Sequence, residues 1–432
     1  MRENSYYTIF KICMFFLVAT IPVSGVINSV AIIVLTLSSF FQCKNTSLNK
    51  KNINFLIPMW LFFFYLVLSL SYTHDMKNGF FQIEKKLSLL VMPFIFYFSP
   101  LNDKESKSNL LIFFAITCTF FCAGCFLIGF YKFIHLNLPN SMIVENFTNQ
   151  NLSGYIGVHS TYLSMFVLLS ISVLLDRLIS NKDSLLVTLI IFFAIMFMLI
   201  FIILLASRIV FLSFIAVIVV LTISRSEIII RNKILFLIFV SLITSCFLIS
   251  YQRSNYIKNR INEVFFIDYP NLIGSQNENG VTQRVFFWRN SIEIIMKSPI
   301  IGHGTGDSNS EFEKQYDELI LQSPGLKESV KNAILYFKEK HFNAHNQYLE
   351  TTISLGLIGL ASLLFIYGYS LFYALKRKNF LHISFISIVI ITSLTESILE
   401  RQQGIIFFLF FNCLFLFNKN ETHSGISSNS MI

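Results

Sequence analysis

Residues 341–360 read HFNAHNQYLETTISLGLIGL, a polar half carrying His341 and His345 followed by an apolar half. The apolar half runs on to Phe372, long enough to cross a bilayer as a helix. His345 is therefore expected where a water-facing loop meets the N-terminus of a transmembrane helix, close to the lipid headgroups. A base at that address is well placed to act on a lipid-linked substrate. The rest of the chain reads as the scaffold that brings other charged groups to the same side.

The 432-residue chain is 54% hydrophobic, and its 13% of charged residues is about half the soluble average. Apolar runs near 20 residues recur from end to end, which predicts an all-α, polytopic membrane protein. The 49 phenylalanines suit lipid-facing helices. The net charge of +9 points to cytoplasmic loops rich in Lys and Arg, and nothing resembles an interleaved basic–aromatic nucleic-acid surface. All seven cysteines lie in or beside apolar runs, so neither a disulfide nor a thiolate metal site is expected in the long polar loop. Cys122 and Cys125 have C-x-x-C spacing but sit in an apolar segment, so they read as packing residues before a redox pair. Lys11 precedes the first apolar run without a small-residue cleavage site, so that run reads as a membrane helix.

About twelve transmembrane helices follow by length, near 8–24, 26–42, 53–72, 87–99, 108–134, 159–180, 184–205, 208–224, 232–250, 346–374, 380–396 and 403–418. The fourth is short enough to be partly re-entrant. With the N-terminus in the cytoplasm, the inside loops hold Lys44, Lys50, Lys51, Lys104, Lys107, Arg177, Lys182, Arg225, Arg231, Lys233, Lys376, Arg377 and Lys378. The chain then divides into a first membrane part (1–250), a long extracytoplasmic loop (251–345), a second membrane part (346–418) and a cytoplasmic tail (419–432). The loop reads as a folded helical cap. Val285, Trp288, Ile292 and Ile295 have helical spacing and Pro299 stops the run; Phe312, Tyr316, Leu319 and Ile320 make a second face; a third helix lies around 327–340.

Under this topology the unusual charges gather on one side. Arg208 opens the eighth helix and reads either as a snorkelling anchor or as a fork for two phosphate oxygens. Arg284 and Arg289 lie on the first loop helix, with a salt bridge as the plain alternative and Glu293 as the partner for Arg289. His345 reads as a base or as a capping residue. His341 and His345 have the spacing of a zinc pair but lack the Glu of H-E-x-x-H, so no metal is expected. Residues 302–306, GHGTG, lack a P-loop ending and read as a turn. His159 opens the sixth helix. Glu396 and Glu400 read as a carboxylate pair or as partners for Arg401 and another helix. Lys85 and Lys86 end an amphipathic stretch that is either interfacial or a pyrophosphate contact.

These pieces together resemble the O-antigen ligase and polymerase superfamily. His345-Asn346, nine residues, then Gly356-Leu-Ile-Gly359 resembles the ligase pattern. Arg284, Trp288 and Pro299 to Gly306 resemble its Arg–Trp–Pro–Gly-x-Gly loop segment. Ser207-Arg208, His159-Ser-Thr-Tyr162, Glu84-Lys-Lys-Leu-Ser-Leu-Leu and Glu396 to Gly404 are also similar to superfamily segments. The resemblance implies a GT-C-like, metal-independent, inverting glycosyltransferase of the bacterial inner membrane, with its site facing the periplasm and no cofactor. By similarity, Arg208 and Arg284 hold the pyrophosphate of an undecaprenyl-pyrophosphate-linked glycan and His345 is the base. His159, Arg289, Asn346, Glu396, Glu400, Arg401, Lys85 and Lys86 would support them. The acceptor would be a lipid A-core sugar for a ligase or a second glycan for a polymerase; the ligase pattern favours the first. A flippase or transporter would instead want ionisable groups at mid-membrane. Membrane lipids are the other expected partners, and nucleic acid is not.

Overall fold

A computed structural model describes residues 2–23, 25–43, 53–101, 103–135, 146–180, 183–205, 207–224 and 280–417. The expected helix at 232–250, the loop as far as 279 and the tail from 419 lie outside the described residues, as do Lys44, Lys50, Lys51, Lys182, Arg225, Arg231 and Lys233. Every described element is a helix. In order they are α1 (Arg2–Thr20), α2 (Gly25–Cys43), α3 (Ile57–Ser69), α4 (Met76–Lys86), α5 (Ser88–Tyr97), α6 (Lys104–His135), α7 (Asn149–Gly154) and α8 (Ser160–Ser180). They continue with α9 (Leu185–Leu205), α10 (Arg208–Ser224), α11 (Gly280–Lys297), α12 (Ser308–Gln322), α13 (Glu328–Glu339), α14 (Gln347–Lys376), α15 (Phe380–Thr392) and α16 (Gln402–Leu416). Among the described residues, α6, α8, α9 and α14 are long and apolar enough to cross a membrane. Shorter apolar helices correspond to α1, α2, α3, α10, α15 and α16.

The centre of the bundle is α8 and α16. Ser160 to Leu175 of α8 and Gly404 to Leu416 of α16 are buried on every side, the pattern of a helix enclosed by others. The phenylalanines therefore divide into two groups. Phe64, Phe120 and Phe193 are exposed, as expected of lipid-facing rings. Those of α16 turn inward instead: Phe411 meets Phe114 with centroids 4.7 Å apart, and Phe407 meets Phe166 at 4.7 Å. Without water to exclude between helices, tight packing of such rings supplies much of their association. Cys118, Cys122 and Cys125 are buried in α6 within the same core.

Helix α14 is broken at Gly356, whose backbone is non-helical (φ +63°, ψ −165°). A break in a membrane helix exposes peptide groups that lipid cannot satisfy. Here the turn after α11 satisfies them. His303 and Gly304 donate their N–H groups to the carbonyls of Ile353 (2.9 Å) and Ser354 (2.8 Å). Leu357 and Ile358 donate to Pro299 (2.8 Å) and Ile300 (3.3 Å), and the Tyr65 hydroxyl donates to the Leu355 carbonyl at 3.1 Å. Any Cβ on Gly356 would strike the Ile300 carbonyl. Gly356→Ala is expected to cost about 2–4 kcal/mol from left-handed strain plus overpacking. It should appear as a lower melting temperature and folded yield in membranes, and an unchanged melting temperature would contradict the seam.

Helices α11, α12 and α13 close over this turn with a second core of Phe286, Phe287, Ile294, Phe312, Tyr316, Ile334 and Phe337. The helices lie where their spacing predicts. The buried face of α11 does not: Ile292 is exposed and Val285 and Trp288 only half buried, while Phe286, Phe287, Asn290, Ser291 and Ile294 face inward. Two adjacent phenylalanines carry more apolar area than the Val–Ile stripe, and they set the rotation.

Candidate functional site

Asn346 is the N-cap of α14, its side-chain oxygen accepting from the N–H groups of Tyr348 (2.9 Å) and Leu349 (3.1 Å). This fixes the first turn of the helix and holds His345 just ahead of it. His345 has φ +44°, a left-handed backbone uncommon outside glycine and asparagine. Its N–H donates to Asn343 Oδ1 at 3.0 Å, and the preceding Ala344 N–H donates to Glu350 Oε2 at 3.0 Å. The imidazole packs against both Phe287 and Phe342, with ring centroids 5.7 Å away in each case, and these two rings stack on each other at 5.6 Å. Its side chain keeps 20% exposure, so the ring is held yet still reachable.

Glu396 lies in the turn between α15 and α16 and is buried. One carboxylate oxygen, Oε2, faces His345 Nδ1 at 3.7 Å. The other, Oε1, accepts from Arg284 Nη2 at 2.8 Å and from Thr161 Oγ1 at 3.3 Å. Arg284 also donates from Nε to the Thr395 carbonyl at 3.1 Å. Burial pushes the Glu396 carboxyl up, but the hydrogen-bonding influence of His345 and the charge of Arg284 outweigh it and hold it at about 2. A carboxylate facing Nδ1 favours the proton on that nitrogen and leaves Nε2 as the basic one, the arrangement of an oriented general base.

His159, just before α8, stands in the same charge cluster. Burial lowers its pKa, the nearby Glu396 opposes that, and Arg401, His345 and Arg284 lower it further. Its Nδ1 is buried and has no hydrogen-bond partner. Arg401 lies over the Tyr162 ring at 5.9 Å, and Tyr162 Oη donates to the Ser397 carbonyl at 3.3 Å.

Glu396 and Glu400 are not a carboxylate pair. Glu400 turns to α4, where Lys86 Nζ approaches at 2.6 Å and Lys85 Nζ at 3.6 Å. Burial lowers the Lys85 pKa and Glu400 partly restores it. Arg289 points away, 72% exposed, with its Nε 3.6 Å from Glu293. The two histidines also diverge, since His341 Nδ1 faces Glu313 at 3.2 Å rather than the Glu396 that faces His345. Among the described residues no cluster of His, Cys, Asp and Glu could hold a metal ion. For Arg208 the structure describes the backbone alone, as the first residue of α10. Helix α9 packs back along α8 and also meets α7. Its end at Leu205, and the start of α10 just beyond, therefore share an end of the bundle with His159.

Sequence reasoning passed over Glu350. It is buried one turn into α14, and it accepts from Ser308 Oγ at 2.6 Å as well as from the Ala344 N–H. A lone carboxylate at the start of an apolar helix was the available signal.

This geometry lies largely within one recognisable stretch. Residues 193–364 match the O-antigen ligase family, Wzy_C. The match, consistent with the O-antigen ligase and polymerase superfamily, starts within α9 and ends within α14, so it takes in Arg208, Arg284, His345 and Glu350. Glu396 and His159 lie outside it. The chain is also 28% identical over 113 residues to a protein of Haemophilus influenzae described as uncharacterized; the alignment covers 26% of this chain and 25% of that one. The bundle and the match together agree with a multi-pass helical membrane protein that resembles the O-antigen ligase family over residues 193–364.

Proposed function

We propose that this chain is an O-antigen ligase, moving a glycan from undecaprenyl pyrophosphate to a sugar hydroxyl of lipid A-core on the periplasmic side of the inner membrane. The observation that carries the reading is the Arg284–Glu396–His345 chain of contacts at the mouth of a membrane helix, with two of its three members inside the ligase-family match. In the proposed reaction His345 Nε2 takes the proton of the acceptor hydroxyl. The resulting oxygen attacks the anomeric carbon opposite the pyrophosphate, and the glycosidic bond to the carrier breaks with inversion. The departing diphosphate gains charge, which Arg208 and Arg284 stabilise. Arg284 spends three of its five donors on the Thr395 and Gly280 carbonyls and on Glu396, and keeps the others for a phosphate oxygen. His159, Arg401, Lys85 and Lys86 add positive charge or donors around the donor's diphosphate and sugars.

Polymerisation of lipid-linked repeat units uses the same chemistry and is the alternative. A deletion strain separates the two. Loss of glycan on lipid A-core, with polymer still on the carrier, supports the ligase; single repeat units on lipid A-core support the polymerase; wild-type surface polysaccharide rejects both. The flippase reading is disfavoured because the described charged groups lie toward the ends of the bundle and not at mid-membrane.

Glu396→Gln tests the orienting contact. It removes the charge that holds both Arg284 and His345, and transfer is expected to fall by at least about tenfold. A carboxyl whose pKa is lowered on folding contributes stability above its unfolded value, near 4.5, that is lost as pH falls toward about 2. The melting-temperature gap between wild type and Glu396→Gln should therefore be full at pH 6 and narrow steadily below about pH 4.5. A gap independent of pH would show that Glu396 is not held as an ion.

A further inference from the structure

At the far end of the bundle, α14 stops at Lys376 and α15 begins at Phe380. A cavity of about 980 Å³ opens there between the ends of α6, α8, α14, α15 and α16. Its polar rim carries Lys104, Lys107, Arg177, Arg377 and Lys378 against the carboxylates Asp176 and Asp183. Its inner wall is apolar, formed by Leu111, Ile112, Val173, Leu414 and Phe415 among others. The cavity is remote from His345: α14 runs the length of the bundle between them, about 45 Å if straight.

Three of the cations are committed to the protein. Arg177 makes a two-pronged pair with Asp183 at 2.7 and 2.8 Å. Arg377 Nη1 donates to the carbonyls of Phe415 and Leu416, both at 2.9 Å, and Lys107 donates to that of Phe417, which together close the end of α16. Lys104 and Lys378 are exposed at the rim, and among the described residues neither makes a side-chain pair. Lys378 also has φ +48° directly after α14, where glycine is the residue the backbone favours. The chain thus places a cation at a position whose backbone prefers no side chain. A cationic rim over an apolar wall, at the end of a membrane bundle, matches a lipid with a negative headgroup: phosphate at the rim, glycerol and first methylenes against the wall.

We propose that this cavity binds an anionic phosphodiester headgroup, that of a phospholipid in the leaflet at this end of the bundle. The inference needs the chain to cross a membrane and is independent of the transferase reading. It is tested by native mass spectrometry of the purified full chain, stripped of lipid and offered phosphatidylglycerol or phosphatidylcholine. Phosphatidylglycerol should be retained preferentially, and retention should fall about fivefold for each lysine removed in Lys104→Gln and Lys378→Gln. Lys378→Gly removes the same charge while suiting the local backbone, so it should lose lipid with no fall in melting temperature. Millimolar inorganic phosphate separates the sources of this chemistry: undisturbed retention assigns the site to the lipid, and displacement assigns it to free phosphate and overturns the lipid. Equal retention of the two lipids, or wild-type retention in Lys378→Gly, also overturns the proposal and leaves these lysines a topological role alone.

Discussion

His345→Ala is expected to abolish glycan transfer while the protein still folds in membranes. A positioned base contributes about 10²- to 10⁴-fold, and no other described side chain is held in the same way. Glu396 faces Nδ1, Phe287 and Phe342 both pack against the ring, and the Asn346 cap fixes the backbone beside it. The substitution leaves that framework in place, because Asn346 and Glu350 anchor the segment through backbone groups rather than through the imidazole. His345→Gln is the sharper variant, since it keeps a polar side chain of similar reach without a ring nitrogen that can take a proton. The measurement is transfer from a purified lipid-linked glycan, with folded yield as control. A normal rate in either variant would remove His345 from the reaction.

Arg208→Ala should come next in size. If its guanidinium stabilises the leaving diphosphate, its loss costs about 10²- to 10³-fold, the range for one transition-state donor. Arg208→Lys should recover part of this, because an ammonium keeps the charge but not the fork. An anchoring arginine would behave differently, with folded yield falling and the rate per folded molecule unchanged. Arg208 opens α10 at the end of the bundle that also carries His159, and it lies within the ligase-family match. Those two facts give the catalytic outcome its weight.

Much of this was legible before any coordinates. Apolar length located α6, α8, α9, α10 and α14 to within a few residues, because a membrane helix must satisfy its own backbone along its whole span. The cap helices were legible too, since Phe312 and Tyr316 sit one turn apart and both bury. What periodicity could not supply was rotation and partner choice. On α11 the buried face depends on which rings Phe337 and Tyr316 present to it, information held outside that helix. Glu396 lies close to Arg401 in sequence, yet it pairs with Arg284, brought from 112 positions away by the fold. Gly356 stood out as part of a motif, but its left-handed backbone follows from the turn threaded against it, which no local pattern encodes. The division of Glu396 and Glu400 between separate partners was hidden for the same reason: a short 3₁₀ turn at Ile398–Glu400 sends the two side chains different ways.

Glu350 receives Ser308 from the start of α12 and Ala344 from just beyond α13. The excursion made by those helices thus departs from one carboxylate and comes home to it, like a purse drawn shut by a single string. Variation in its length or surface is absorbed beyond the knot, and the imidazole beside it stays where it is. On the proposed transferase reading, a chain built this way is expected to take a different acceptor without rebuilding its chemistry.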